Sequence, residues 1–263
     1  MTSPRYDWPV HLAILAILGG IRFSWQMPMS VCMGMTLPEC LGLASAIVVI
    51  AGLTLTTARG LWLARRSRNA VRALSLTPIP PALRGAIDRT GTISTLCLAD
   101  TTATAFCSGF LRPRIRVTTG LVERLSPTEL DAVLLHEAEH ARRRDPLRRL
   151  VFRSLADAGF LFPLLAWWAA HEQEQSELRA DRAAVAAVGA RPVAAALLAL
   201  DTPAHLAGAA GFEGAGAARV AQLLGDDHTP QPPSLPMCLV SLTNVTILVS
   251  LAMCVGQDAL AHL

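Results

Sequence analysis

The sequence predicts a mainly α-helical membrane protein in which transmembrane helices flank an α+β domain with a small β-sheet. Hydrophobic residues make up 52% of the 263-residue chain, only 16% of the residues are charged, and the mean hydropathy is +0.41. Long apolar runs lie near both ends of the sequence, and alternating and amphipathic segments lie between them. An ordinary soluble domain is less apolar and more highly charged than this.

Three runs are predicted to cross a bilayer, at about 8–23, 37–63 and 235–255. The first run is short and contains Arg22. No clear small-residue cleavage site follows it, so we expect a retained anchor rather than a cleaved signal. The second run is followed by four arginines, Arg65, Arg66, Arg68 and Arg72. By the positive-inside rule, these arginines place that end of the second span in the cytoplasm.

Residues 64–234 are therefore predicted to form a cytoplasmic domain, and residues 235–263 a third span with a short external tail. Within the domain, residues 155–170 form a fourth apolar run, which contains Asp157. As a helix this run reaches only ~24 Å, against roughly 30 Å of hydrocarbon. We therefore expect a hairpin, either buried or dipping into the membrane, that turns near Gly159 or Pro163.

The charge and the cysteines exclude some classes of function. A net charge of +3 with scattered arginines does not indicate a nucleic-acid surface. The six cysteines lack the paired spacing of zinc fingers or redox motifs. Cys32 and Cys40 lie in or near the short external connection, and a disulfide between them is left open.

The sequence His136-Glu137-Ala138-Glu139-His140 is the most informative motif of the chain. It follows a capping box, Ser126-Pro127-Thr128-Glu129, and a run with apolar residues at helical spacing, so we predict a helix here. On a helix, histidines four positions apart share one face and can bind one zinc ion, while Glu137 is placed to act as a general base. The alternative is an ordinary solvated or core helix.

A catalytic zinc site needs a third protein ligand from elsewhere in the chain. The best candidate is Glu177, since Asp181 follows it one helical turn later on the same face. Asp181 would then orient a ligand histidine through its second ring nitrogen. The alternative is a solvated acidic helix face.

Alternating segments between residues 92 and 118 predict a small β-sheet before the histidine helix. The segment 112–117, Arg-Pro-Arg-Ile-Arg-Val, is a candidate edge strand that would hold a substrate by adding it as a further strand. The alternative is an edge strand that its charges protect from pairing.

These motifs together resemble the BlaR/MecR membrane metallopeptidases over roughly residues 103–187. The similarity lies in 105–115 (AFCSGFLRPRI), Gly120-Leu121, 125–130 (LSPTEL), the histidine motif with Arg143 and Asp145, and 177–181 (ELRAD). That family belongs to the gluzincins, which implies one Zn²⁺ held by His136, His140 and Glu177, with Glu137 as the base. The resemblance also implies a regulatory endopeptidase that cuts, or triggers the cutting of, a cytoplasmic transcriptional repressor.

Two other functions are left open. The chain is also similar to the membrane proteases of the HtpX and Ste24 class, so a quality-control protease would share every catalytic residue. The second alternative is a non-catalytic signalling protein with a structural zinc site.

The predicted partners are a protein or peptide substrate, such as a winged-helix repressor, and the lipid bilayer, while a homodimer is left open. Since the chain ends soon after its last span, we expect no penicillin-binding sensor domain. We expect the signal to come from a partner, the membrane or the loop 26–36.

The sequence offers three candidates for the group that stabilises the oxyanion. The only tyrosine is Tyr6, far from the motifs, so a tyrosine donor is not expected. Arg219 resembles an arginine placed similarly in related membrane proteases, with His171 and His205 as weaker candidates. The alternative for Arg219 is an ordinary surface arginine. Arg143 and Asp145 are expected to form a structural pair near the helix end.

Overall fold

The structure is a computed structural model that describes residues 37–200, 210–225 and 231–261. The predicted span 8–23, the loop 26–36 and His205 lie outside the described residues, as does the Cys32 and Cys40 pairing. The described residues are mostly helical, with one small mixed sheet. The predicted combination of helices with a small sheet is therefore confirmed.

The helices and strands follow one another along the chain. The helices are α1 (Leu37–Arg72), α2 (Pro81–Thr90), α3 (Thr119–Arg124), α4 (Pro127–Arg143), α5 (Asp145–Ala158), α6 (Pro163–Val188), α7 (Ala190–Ala199), α8 (Ala210–Leu224) and α9 (Leu235–Ala261). The strands are β1 (Leu76–Thr77), β2 (Thr95–Leu98), β3 (Ala105–Ser108) and β4 (Arg114–Thr118). The chain forms two compact units. Three of the boundaries between them fall inside α1, α5 and α6, and the fourth falls between residues 231 and 232, before α9.

The first unit, which we call the helical unit, contains the described residues 37–60, 153–168 and 232–261. Among the described residues, Ser45–Arg72 in α1 is the one segment long and apolar enough to cross a membrane by length and composition. None of its most apolar window is buried by the rest of the protein. In α9, the part whose side chains the structure describes contains the apolar stretch Leu235–Ser250. One span is therefore supported, and the others stay predictions.

The fourth apolar run forms a turn between two helices of the helical unit. The chain turns at residues 159–162, between the end of α5 and the start of α6, where the sequence predicts a turn near Gly159 or Pro163. Helix α9 binds this turn, because the Leu164 amide donates to Ser241 Oγ (3.1 Å) and the Asn244 amide donates to the Leu161 carbonyl. Two polar side chains of α9 thus provide hydrogen-bond partners for backbone groups of the apolar turn.

The second unit, which we call the mixed unit, contains residues 61–152 and the described residues of 169–231. Its sheet has the strand order β1-β2-β4-β3, in which β2 and β4 are parallel and the other pairs are antiparallel. The prediction that residues 112–117 form an edge strand is therefore wrong, because β4 pairs with β2 on one side and β3 on the other. The edge strand beside it is β3.

Helix α4 is buried from two sides in the mixed unit. Its residues Leu130, Val133 and Leu134 join a core with α2, the sheet and α7. On another face, Ala132 packs with Ala184 of α6 and Val193 of α7. The helix that carries the histidine motif is thus the centre of the unit, which fixes where its polar side chains lie.

Gly120 allows the connection between β2 and β3 to pack closely against the start of α3. A Cβ atom at this position would lie 2.0 Å from the carbonyl oxygen of Thr101, which is far inside van der Waals contact. Any other residue here would force the backbone apart.

The burial of α4 predicts the effect of a core truncation. Leu134 is fully buried, so Leu134→Ala should lower the free energy of unfolding by about 2–5 kcal/mol through lost packing and a residual cavity. Leu198→Ala is the matched control because Leu198 is 88% exposed, and its effect should stay within about 0.5 kcal/mol. Denaturant unfolding of both variants in detergent measures the difference, and equal effects would contradict the described packing.

Candidate metal centre

Local signals in the sequence determine where helix α4 begins and ends. The Ser126 amide donates to Glu129 Oε2 (2.8 Å) and Pro127 occupies the first turn, so the predicted capping box is confirmed. The helix ends at Arg143, and Arg144 adopts a left-handed conformation with φ 55°. Helix α5 then begins directly at Asp145.

Three potential metal donors converge inside the mixed unit. His136 and His140 lie on one face of α4 with their Nε2 atoms 3.1 Å apart. Glu177, on α6, places Oε2 3.5 Å from His136 Nε2 and Oε1 3.6 Å from His140 Nε2. The structure therefore brings together the three residues that the sequence predicts as ligands, although they are contributed by two helices.

The spacing of these donors fits a tetrahedral zinc site. At zinc bond lengths of about 2.0–2.2 Å, two tetrahedral ligands lie roughly 3.3–3.6 Å apart. The three observed separations lie in or near this range. Two imidazoles and one carboxylate also suit zinc or a similar transition metal better than calcium or magnesium, which take oxygen ligands.

Each histidine ring is hydrogen-bonded through its Nδ1 atom to an aspartate carboxylate. His136 Nδ1 lies 2.9 Å from Asp181 Oδ1, and His140 Nδ1 lies 2.8 Å from Asp145 Oδ2. Ser176 Oγ donates to Asp145 Oδ2 (2.6 Å), which fixes that carboxylate in turn. A carboxylate at Nδ1 keeps a proton on that nitrogen, so each Nε2 atom can bind a metal once it has lost its own proton.

Two arginines complete the charged network. Arg219 on α8 donates from Nε and Nη2 to both oxygens of Asp181, at 2.7 and 2.8 Å, and its Nη1 lies 3.3 Å from Glu177 Oε2. Arg149 on α5 donates from Nη2 to Glu177 Oε1 at 2.5 Å. Arg219 is 14% exposed and Arg149 is 42% exposed, so Arg149 is the arginine with access to solvent.

The electrostatics of the cluster suit a cation. Burial disfavours the charged form of His140, but hydrogen bonds with Asp145 and Glu177 and the charge of Glu137 outweigh it and raise its pKa from 6.5 to about 9. The pKa of His136 is also raised, because its bonds with Asp181 and Glu177 outweigh burial. The histidines and Arg149 likewise overcome burial and hold the pKa of Glu177 well below its ordinary value.

The charge of Glu137 acts on both the donor cluster and the sheet, since it affects the pKa of His140 and of Cys107. It is buried on α4, which packs against both β3 and β4. Burial, aided by the charge of Glu137, raises the pKa of the Cys107 thiol on β3 to about 12. The carboxylate of Glu137 thus lies within electrostatic reach of the edge strand β3.

The structure also shows which contacts the sequence analysis missed. Arg143 donates to Glu139 (2.5 Å) while Asp145 binds His140, so the predicted structural pair of Arg143 and Asp145 is wrong. The spacing of Asp145 five residues after His140 was the available signal. Ser176 and Arg149 gave no comparable signal, because their contacts depend on the packing of α5 and α6.

A histidine pair on one helix, a carboxylate from a second helix and an adjacent glutamate define the class of the HExxH metallopeptidases. The family model described as BlaR1 peptidase M56 matches residues 20–201 of the chain. Because this match covers more than half of the sequence, the chain belongs to that peptidase family, and the predicted resemblance is confirmed. The matched range includes α4, Glu177 and Asp181, whereas Arg219 lies beyond it. A search of curated proteins finds no match to the chain.

The raised histidine pKa values predict that metal binding competes with protons. Near neutral pH His140, with its pKa at about 9, is protonated in the metal-free protein, so binding must expel that proton. Metal affinity should therefore rise with pH up to about 9 and fall on acidification, by about tenfold per pH unit for each proton released. Zinc titration calorimetry in buffers of different ionisation enthalpy counts the protons, and binding without proton release would contradict the prediction.

Proposed function

We propose that this peptidase is a membrane-bound zinc endopeptidase with a cytoplasmic site, acting as a regulatory protease on a transcriptional repressor or a similar protein. The observation that carries the proposal is the position of Glu137, which lies beside three converging metal donors and within electrostatic reach of the edge strand β3. A metal site used only for folding would not need this glutamate.

The residues of the site fit zinc, with His136, His140 and Glu177 as its ligands. When bound, zinc would polarise the scissile carbonyl and lower the pKa of the attacking water. Glu137 would accept the proton of that water on its carboxylate and return it to the leaving amine nitrogen. Asp181 and Asp145 would keep the two imidazole rings in the tautomer and orientation that binding requires.

Strand β3 supplies the place for the substrate. It is the last strand of the sheet and pairs with β4 along one edge. Helix α4 packs against it. An extended segment that paired with its other edge would bind through main-chain hydrogen bonds, which tolerate many side chains. Such a segment would lie next to Glu137 and the metal donors.

The membrane attachment rests on α1 and on the charges that follow its apolar part. The segment Ser45–Arg72 is exposed along its apolar window, and a large exposed apolar surface needs lipid or a partner to cover it. The arginines after residue 63 support a cytoplasmic position for the mixed unit. Further spans at 8–23 and 235–255, with a hairpin at 155–170 that dips into the membrane or is buried, complete the proposed multi-pass arrangement.

The membership of a BlaR1-type family supports the regulatory function over the quality-control alternative. A winged-helix repressor is the proposed substrate, because a cytoplasmic site can reach it without transport. A quality-control protease would cut a broader range of substrates than this proposal implies. A non-catalytic signalling protein would cut none.

Two arginines are candidates for stabilising the oxyanion. Arg219 was the prediction from sequence, and it lies near Glu177, but both of its other contacts are with Asp181. Arg149 is more exposed and contacts Glu177 with one nitrogen, so its remaining N–H groups can meet a substrate carbonyl. We propose Arg149 as the second candidate and Arg219 as a residue that also positions Asp181.

Removing the proposed base should separate metal binding from catalysis. Glu137→Gln should retain the zinc content and lose about 10²–10⁴-fold in cleavage of an unfolded test protein such as casein, because proton transfer is lost. Glu139→Gln is the matched control on the same helix, since Glu139 binds Arg142 and Arg143 instead. Glu177→Ala should lose zinc itself. Normal cleavage by Glu137→Gln would exclude it as the base.

The roles of the two arginines can be separated by comparing metal affinity with turnover. If Arg149 stabilises the oxyanion, Arg149→Gln should lower kcat by about 10²–10³-fold with little change in zinc affinity. Arg219→Gln, which frees Asp181, should instead weaken zinc binding by about 10–100-fold. Steady-state kinetics and zinc titrations on both variants measure these two effects. A lower kcat in Arg219→Gln and weaker zinc binding in Arg149→Gln would indicate that Arg219 stabilises the oxyanion.

A further inference from the structure

We infer that one end of the sheet docks onto the headgroup region of an anionic lipid bilayer. We call this surface the docking end and define it by Ile93, Phe110, Leu111, Arg112 and Arg114. The inference rests on the proposed membrane attachment through α1 and adds a second contact between the mixed unit and the membrane.

Strand pairing places the two most exposed aliphatic side chains of the sheet connections at the same end. Thr95 pairs with Ile115 and Ser108 pairs with Arg114, so the starts of β2 and β4 and the end of β3 lie together. The segment before β2 carries Ile93, which is 90% exposed, and the loop after β3 carries Leu111, which is 72% exposed. Aliphatic side chains so exposed at one place indicate a surface that something else covers.

The charge of the docking end favours an anionic bilayer as the cover. Arg112 and Arg114 are exposed beside Leu111, and the segments 91–95 and 108–114 contain no aspartate or glutamate. Aliphatic residues surrounded by arginines can insert into the acyl boundary while the guanidinium groups meet lipid phosphates. A purely apolar protein partner would leave these arginines without counter-charges.

Helix α1 contacts the docking end just after the predicted end of the span. The guanidinium carbon of Arg68 lies 5.9 Å from the ring centroid of Phe110. Arg68 follows the predicted end of the span, residue 63, by five residues, or ~7.5 Å of helix. The headgroup layer is about 5–7 Å thick on each side of the hydrocarbon. Arg68 therefore follows the span by about the thickness of this layer, and its side chain can reach lipid phosphates. Trp62, which stacks with Arg66 at 5.3 Å, is an aromatic residue of the kind that marks this interface.

The docking end is directly connected to the proposed substrate strand. Gly109, at φ +102°, makes the turn after β3, and a Cβ atom there would lie 2.7 Å from the Arg112 carbonyl oxygen. The loop is therefore compact, and lipid contact at its tip would hold β3 at a fixed distance from the membrane. Substrate segments would then be bound near the bilayer surface, and the lipid composition would influence access to β3.

The test places tryptophans at the docking end of the full chain in nanodiscs. Leu111→Trp and Ile93→Trp are reconstituted in phosphatidylcholine with or without phosphatidylglycerol, and lipids brominated near the headgroup serve as the quencher. The wild-type protein contains five tryptophans, and its quenching signal is subtracted from that of each variant. We expect quenching of both added tryptophans, stronger by on the order of twofold with the anionic lipid. Arg112→Gln combined with Arg114→Gln should remove that lipid dependence.

Two controls separate this inference from the proposed function on which it rests. Leu53→Trp reports on the apolar part of α1, where Leu53 is 68% exposed, and Leu198→Trp reports on α7, where Leu198 is 88% exposed. Quenching at position 53 without quenching at 93 and 111 overturns the docking and leaves the span intact. No quenching at position 53 overturns the membrane attachment and the docking with it. Quenching at 198 equal to that at 111 overturns a specific docking end.

Unchanged zinc content in each tryptophan variant shows that the mixed unit is folded, so a missing signal reflects the absence of docking. Cleavage activity does not enter this measurement. Loss of the proposed peptidase function and loss of the docking end therefore give different results.

Discussion

The hydrogen bonds that His136 donates to Asp181 and His140 donates to Asp145 are the interactions on which the site depends. Without them the imidazole rings could rotate, and their Nε2 atoms would not stay 3.1 Å apart and aimed at Glu177. Both carboxylates are almost completely buried, so the protein must bring them to the histidines by packing helices rather than by exposing a flexible side chain. The geometry of the metal centre is therefore a consequence of how α4, α5, α6 and α8 pack.

This dependence explains why α4 lies at the centre of its unit. One face of the helix belongs to the core with the sheet and another to the core with α6 and α7, so small rotations of the helix are opposed from both sides. The left-handed Arg144 then redirects the chain so that Asp145 comes back under His140. The backbone conformation of Arg144 thus ends helix α4 and brings Asp145 to His140.

The parts of the site that the sequence predicted correctly are those set by local geometry. The capping box and the four-residue spacing of the histidines act within one helix, and Glu177 and Asp181 share a face of another. The errors concern non-local packing. The edge strand was placed at residues 112–117 because alternation cannot reveal strand order, and the parallel pairing of β2 with β4 puts that segment inside the sheet. Asp145 was predicted to pair with Arg143 because its contact with His140 depends on the redirection of the chain at Arg144.

The arrangement of charges around the donors has one more consequence. The carboxylates of Glu137, Asp145, Glu177 and Asp181 carry four negative charges, and Arg149 and Arg219 return two positive ones. The remaining deficit equals the charge of one divalent ion, or of two protons on the imidazoles. One divalent ion would therefore neutralise the cluster, whereas a monovalent cation would leave one buried negative charge uncompensated.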